Sequence, residues 1–533
     1  MTVHLKLTRV LVSLLALTLV LSGCAMLRPP PSPASPTRPA VVERVITVEV
    51  EKVVELAAAP AAPYPPSTGG TNTVNDEPYD AVFYQNYGVN PFIDTEDDHL
   101  STFAMDVDNA SYTVARRYVL DGYLPDPDSV RVEEFVNYFD HYYEQPGAGA
   151  FVIHLDGSPS PFGGEKYWLM RVGLQGRVVA PEARKDATLI FVIDVSGSMD
   201  MDNRLGLVKR SLRLLVDELR PSDAVGIVVY GSQGRVVLEP TSAENKTLIM
   251  QAIDSLHSEG STNAEAGLQL GYRLAADHAQ PERITRIILC SDGVANVGNT
   301  GPDSILRTIR SYVDQGVTLS TVGFGMDNFN DVLMERLAND GDGNYYYVDT
   351  LNEARRVFVE NLTGTLQVIA KDAKVQVDFD PAVVSRYRLL GYENRAVRDE
   401  QFRDDTVDAG EVGAGHSVTA LYEVKFHDAA AGPAATVYIR YQDPDTGEVI
   451  EQSAALARED FRPTFAEMAP RFQLDAAVAE YAEILRNSYW AQDGSLAVVR
   501  QLAQQISAAL PDDADVTEFV FLVSQAERVQ QQQ

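Results

Sequence analysis

Residues 188–198 read Thr-Leu-Ile-Phe-Val-Ile-Asp-Val-Ser-Gly-Ser. The apolar run ends in the carboxylate of Asp194, and hydroxyls come next at alternate positions, Ser196 and Ser198. A short unbroken apolar run bounded by polar turn residues is the pattern of a buried strand. Beyond Ser198 the chain alternates between helical and extended patterns. Residues 204–219 place Leu205, Val208, Leu212, Leu215, Val216 and Leu219 on one helical face. Strands are predicted over 224–230, 284–291, 317–324 and 344–348, with a short antiparallel edge strand over 235–238. Helices are predicted over 244–257, 263–276, 302–315, 329–339 and 351–362, the third opened by Pro302, a good first-turn residue. This order predicts an α/β domain of three layers, a mostly parallel sheet with helices on both faces. Ligands of such folds sit beyond the carboxyl ends of the strands.

Three segments fall on that edge. Asp194-Val195-Ser196-Gly197-Ser198 follows the first core strand, Gly260-Ser261-Thr262 precedes a helix, and Asp292-Gly293 follows the strand ending at Ser291. Each alone reads as a helix cap or a turn. Together they offer oxygen donors alone, the preference of hard divalent cations such as Mg²⁺, with Mn²⁺ or Ca²⁺ as alternatives. The absence of nearby His or Cys argues against Zn²⁺. With two carboxylates and otherwise neutral hydroxyls, a bound cation keeps part of its charge and accepts a further carboxylate from a protein partner.

Asp-x-Ser-x-Ser, a distant Thr and a later Asp-Gly resemble the metal-ion-dependent adhesion site of von Willebrand factor A domains, a Rossmann-like fold, over residues 187–363. The resemblance implies that Ser196 and Ser198 coordinate the metal directly and that Thr262 joins them when a partner is engaged. It implies that Asp194 and Asp292 act through waters or hydrogen bonds to the hydroxyls.

Outside that domain the pattern changes. Residues 76–145 predict helices over 112–121 and 132–138, and 151–156 and 166–178 look like strands. After 364 strands return over 373–379, 418–426 and 435–441, with a hairpin turn at Asp443-Pro444-Asp445-Thr446-Gly447. From about 463 the chain reads as helical. The strands of 151–178 are expected to pair with those after 364, which makes the A domain an insertion between them. Asp106 and Asp108 lack the glycine and glutamate of an EF-hand loop, and Asp404, Asp405 and Asp408 read as a solvated loop.

At the other end, Val10 to Leu21 is apolar except for Ser13 and Thr18. That is too short to span a bilayer, which needs about 20 apolar residues, and has the length of a signal-peptide core. Leu21-Ser22-Gly23-Cys24 resembles the bacterial lipobox, which implies lipidation of Cys24 and a membrane anchor at the outer membrane or cell surface. Residues 29–40, PPPSPASPTRPA, favour extended polyproline II and a stiff spacer; residues 41–55 fit a strand or a short helix equally. The expected organisation is a signal peptide over 1–23, a Pro/Ala-rich tether over 24–75, an α+β region with strands over 76–186, the A domain over 187–363, a β-rich domain over 364–462 and a helical region over 463–533. This arrangement, with the Ser101–Asp108 segment, resembles the YfbK-type bacterial lipoproteins, a family of poorly defined activity.

The 533 residues carry 44 basic and 76 acidic side chains, a formal charge of −32. An acidic balance argues against nucleic-acid binding, which needs a basic face. Cys290 sits in an apolar run and reads as a small buried hydrophobe with no disulfide partner. No Gly-x-Ser-x-Gly elbow surrounds Ser196, which argues against a serine hydrolase, and no general base is evident for metal-assisted hydrolysis. The expected function is therefore non-enzymatic: an exported lipoprotein that binds a protein partner through a metal, or an envelope-assembly scaffold whose metal is structural.

Overall fold

The computed structural model describes residues 84–532 apart from 165, 261, 281, 294–309, 314 and 326–329. The expected signal peptide, Cys24, the tether and most of the helix expected over 302–315 lie outside these residues.

In chain order the strands and helices used below are β1 Ile93–Asp94, β2 Leu100–Ala104, α1 Ala110–Leu120, α2 Val132–Asn137, β3 Phe151–Pro159 and β4 Trp168–Gly176. The inserted domain holds β5 Ala187–Asp194, α3 Arg204–Glu218, β6 Ala224–Tyr230, β7 Gly234–Ser242, α4 Lys246–Ser255, α5 Ala264–His278, β8 Ile284–Ser291, β9 Val317–Gly323, α6 Asp331–Asn339, β10 Tyr345–Tyr347, α7 Leu351–Arg355 and α8 Leu362–Leu366. After it come β11 Val368–Phe379, β12 Val384–Leu390, β13 Gly410–Gly413, β14 Ser417–Phe426, β15 Pro433–Gln442, β16 Val449–Ala457, α9 Pro470–Leu485, α10 Leu496–Ala509 and α11 Ala514–Gln530.

The central sheet runs β10-β9-β8-β5-β6-β7. Its pairs are parallel except for the antiparallel edge pair β6–β7. Every residue of β5 is buried, and its side chains divide between two cores. Leu189, Phe191 and Ile193 meet Val208, Leu212 and Leu215 of α3 and Ile249 and Ile253 of α4. Ile190 and Val192 meet Leu268, Tyr272 and Ala275 of α5 and Leu333, Met334 and Leu337 of α6. Ala110 and Val114 of α1 join this second face, so a helix from outside the inserted domain helps to cover it. Cys290 is free and fully buried, as its apolar neighbours imply.

The flanking segments are woven together. One sheet runs β1-β12-β14-β4-β3; in another β13-β11-β15-β16 is extended by β2 on β11. β4 pairs antiparallel with β14 from Gln175↔Ser417 to Trp168↔Val424. The strands before and after the parallel sheet are therefore neighbours, and the domain between them is an insertion, as expected. The α9–α11 helices share a core with α1 and α2, in which Phe139 and Tyr481 both lie against Phe519 at 5.6 and 5.5 Å.

Five strands escaped the sequence reading: β1, β2, β12, β13 and β16. β12 carries Arg386 and Arg388 among its apolar residues, and Arg388 is buried only because Glu423 and Glu483 lie 2.9 and 3.2 Å away. β16 is an edge strand with Glu451, Gln452 and Ser453 at its middle and only Leu456 buried, and β13 has four residues. The single helix expected over 351–362 is interrupted by a π-helical stretch, Arg356–Glu360, before α8 begins at Leu362. Its Arg356 bonds Asp515 at 2.6 Å and the carbonyl of Tyr138.

Candidate metal centre

β5 and β8 deliver Asp194 and Asp292 to the same edge, because parallel neighbours in register end together: Ile193 faces Cys290. Asp194 is fully buried and Asp292 is 2% exposed. Asp194 Oδ1 accepts the Ser196 amide at 2.8 Å, and Oδ2 accepts the Ser291 hydroxyl at 3.1 Å. The Gly293 amide donates to that same Ser291 oxygen at 3.2 Å. Ser196 Oγ and Ser198 Oγ lie 3.0 Å apart.

The second loop is stitched to the first. The Gly197 amide donates to the Gly260 carbonyl at 3.3 Å, and the Glu259 amide to the Val195 carbonyl at 2.5 Å. Gly260 has φ +75°, and a Cβ there would stand 2.4 Å from Ser232 Oγ and 2.8 Å from Ser232 N. Only glycine makes this turn at this approach. Thr262 lies two residues beyond it, half-buried. Ser261 lies outside the described residues.

Burial first, then the charge of Asp292, pushes the Asp194 carboxyl up to about 6, against the hydrogen bonds from Ser196 and Ser291. Two acids this close favour an added cation. The hydroxyl spacing suits one as well: two adjacent ligands of an octahedral Mg²⁺, each at about 2.1 Å, stand about 3 Å apart. The donor set and its spacing therefore fit a hard divalent ion. A bound ion would take Ser196 and Ser198 as direct ligands, with Asp194 holding the loop through the Ser196 amide.

Arg204 is the residue that sequence reading passed over. It opens α3, is 3% exposed, and its Nη1 lies 2.9 Å from Asp292 Oδ2 and 3.4 Å from the Ser198 carbonyl. A cation in the first turn of a helix opposes the helix dipole, and that anomaly was the available clue.

Ser196 bonds Ser198, while His257 is exposed and its Nδ1 bonds the Ser255 carbonyl at 3.0 Å. Asp408 has neighbours that its own loop does not show. It belongs with Asp342 and Glu411 in a three-acid group whose oxygens lie within 4.8 Å of one another. Lys371 Nζ sits 3.0 Å from Asp342 Oδ2. Asp408 is exposed, as a solvated loop implies, and its carboxylate stands beside that of Glu411, close in sequence, and that of Asp342, which is distant. Asp404 and Asp405 are exposed, as expected. Asp106 and Asp108 are claimed by Arg395 at 2.8 and 3.2 Å.

Residues 188–361 match the von Willebrand factor type A domain family, residues 78–171 a family described as von Willebrand factor, and residues 364–434 and 426–529 the C-terminal family of uncharacterized protein YfbK. Uncharacterized protein YfbK of Escherichia coli (strain K12) is 37% identical over 473 residues, covering 84% of this chain and 81% of its own. The chain belongs to the YfbK family. A second relative, uncharacterized protein sll0103 of Synechocystis, is 26% identical over 52% of this chain and 67% of its own. Among solved structures, a von Willebrand factor type A protein from Catenulispora acidiphila covers 70% of this chain and 89% of its own at 15% identity, with a TM-score of 0.42. The YfbK-family chain thus carries an A domain, a module that generally serves protein–protein interaction and often holds a metal.

Proposed function

We propose that this protein is a non-enzymatic, lipid-anchored envelope protein that grips a protein partner through a Mg²⁺-dependent adhesion site. Asp194, Ser196, Ser198, Thr262 and Asp292 hold the ion, and Cys24 carries the lipid. A bound divalent cation supplies an open position for an anionic oxygen, and the partner fills it with an Asp or Glu carboxylate. The observation that carries this reading is the 3.0 Å separation of the Ser196 and Ser198 hydroxyls beside two buried carboxylates at the sheet's carboxyl edge. The residues divide the work. Ser196 and Ser198 bind, Asp194 orients their loop through the Ser196 amide, and Thr262 is the third hydroxyl, two residues beyond a turn that bonds the serine loop.

Calorimetry of Mn²⁺ into the full chain tests the site. One ion per chain is expected, with binding lost in Asp194→Ala; equal binding by the variant refutes the site. Proximity labelling in cells tests the rest. Envelope proteins labelled in a Mg²⁺-dependent way support adhesion, and labelling unchanged by Asp194→Ala refutes it. A second reading, an assembly scaffold with a structural metal, is favoured by the insertion of the A domain between the paired β4 and β14. It predicts that Asp194→Ala costs folding rather than partner capture.

A further inference from the structure

Outside the inserted domain, the two flanking sheets meet at one end in a box of three rings. Trp168 leads β4, Phe426 closes β14 and Phe461 stands just beyond β16. The rings touch edge to face, Trp168 and Phe426 at 5.7 Å, Phe426 and Phe461 at 5.0 Å. Arg458, the residue after β16, reaches into this box. Its guanidinium carbon stands 3.8 Å from the Trp168 ring centroid and 4.5 Å from that of Phe426. Stacking uses the faces of a guanidinium and leaves its in-plane N–H donors available.

Those donors have no protein acceptor. Among the described residues the Arg458 guanidinium makes no hydrogen bond and no ion pair. Glu459 is next in the chain, but its carboxylate accepts the Gly432 amide, at 3.0 and 3.2 Å. Acids outnumber bases 76 to 44 in this chain, and an arginine has many carboxylates to choose from. On the same sheet Arg440 is claimed by Asp405 at 2.7 Å and Glu451 at 3.3 Å. Arg458 is half-buried, and lost hydration pulls its guanidinium below the ordinary value, against the charge of Glu459. A partly desolvated guanidinium with no bonded carboxylate is short of an anion.

The arginine borders a cavity of about 530 Å³. Lys166, in the turn before β4, and Lys425, near the end of β14, line it too, and Asp428 is the one acid on its wall. Neither lysine has an ion-pair partner among the described residues. A planar carboxylate is satisfied by one guanidinium fork. A tetrahedral phosphate has further oxygens for lysines, which bind it as point charges. The cavity is larger than a bare phosphate group, which leaves space for the organic part of an ester beside the rings.

We propose that Arg458, Lys166 and Lys425 form a binding site for a phosphate ester, with the phosphate on the guanidinium edge and the organic group in the rest of the cavity. The site lies on the flanking sheets and draws on none of the metal centre's residues. Free esters and lipid headgroups share this chemistry, and two probes separate them. The full chain is titrated by calorimetry with glycerol 3-phosphate and with a water-soluble, short-chain phosphatidylglycerol; acetate is the carboxylate comparison. Tryptophan fluorescence reports on Trp168. Glycerol 3-phosphate is expected to bind more tightly than acetate and to change the fluorescence. Arg458→Gln should bind it at least about tenfold more weakly. Arg458→Lys keeps the charge but loses the fork, and should fall between the two. Lys425→Gln should bind about threefold more weakly. Binding of the short-chain lipid alone, weakened in the same order by these variants, assigns the ester to a lipid headgroup. Binding of neither ester overturns the proposal. So does acetate bound as tightly as glycerol 3-phosphate, or equal binding by wild type and Arg458→Gln. Should Arg458→Gln fail to fold, Arg458→Lys and Lys425→Gln decide, and wild-type affinity in both overturns the site.

Discussion

Buried carboxylates occur in two settings in this protein, and they are handled oppositely. Where α1, α2 and the 393–395 turn meet the inserted domain, the chain supplies the cations. Arg131 takes Asp331 at 2.7 and 3.2 Å and also bonds Glu134. Arg395 takes Asp106 and Asp108, and Arg116 takes Asp349 at 2.6 Å and Glu353 at 2.9 Å. At the carboxyl edge of the parallel sheet, Asp194 is bonded by one amide and one hydroxyl, and Asp292 shares Arg204. The first setting draws its cations from the fold itself, although burial still pushes the Glu134 carboxyl up to about 7 against the pull of Arg131. The second is short of positive charge, and its acids repel each other. Buried acids with guanidinium partners therefore read as joints between segments, whereas buried acids with mainly hydroxyl and amide partners read as a place for a cation from solution.

The contrast can be broken most sharply at Arg131. Removing one partner of a buried ion pair leaves uncompensated charge, at about 3–5 kcal/mol. Arg131→Ala is expected to lower the unfolding free energy by that much, read as a lower denaturation midpoint, or to prevent folding, with added Mg²⁺ giving no rescue. A midpoint near wild type would show that the joint does not depend on this guanidinium.

The pH dependence of a closed pair is the next largest effect. Burial alone would raise the Glu483 carboxyl, but Arg486 and Arg388 outweigh it and pull it to about 2. The folded state then holds fewer protons than the unfolded state at acid pH. The stabilisation, on the order of 2–3 kcal/mol, is fully present above the ordinary glutamate value of about 4.5 and is lost as pH falls from there towards 2. Melting of wild type and Glu483→Gln should differ most near pH 6 and converge only at about pH 2 and below. Parallel curves would mean that the arginines are not what holds this acid.

Asp194→Asn should act in the reverse direction. In chelator it removes a repulsive buried charge, so the apo protein is expected to gain about 1–2 kcal/mol while calorimetry finds Mn²⁺ binding weakened at least about a hundredfold. Lower apo stability would place Asp194 among the structural acids and erase the contrast. The smallest effect belongs to the surface. Arg440 meets Asp405 at 2.7 Å and Glu451 at 3.3 Å in solvent. Arg440→Ala should cost under about 1 kcal/mol; a larger loss in denaturant melts would show that exposure does not discount ion pairs here.

Much of this was legible in the chain. The unbroken run of β5 and the 3.6-residue spacing of Leu205, Val208, Leu212 and Leu215 announce a buried strand and the helix that covers it. The five proposed metal donors could be named because each stands just beyond a local pattern, and a parallel sheet places all such ends on one edge. The insertion was readable too, from β-type patterns on either side of an α/β stretch. Local pattern failed where a residue owes its place to something distant. Arg388 breaks the alternation of β12 and is buried only because Glu423 and Glu483 arrive from other elements.

Sequence alone determined the class of each strong element and the order of the layers, and it named the proposed oxygen donors, because burial imposes its period on neighbouring residues. Tertiary structure alone decided that Arg204 reaches Asp292 across 88 positions, that Asp408 joins Asp342 and Glu411, and that Arg131 closes on Asp331. Charges find partners through space, and that pairing leaves no periodic trace along the chain.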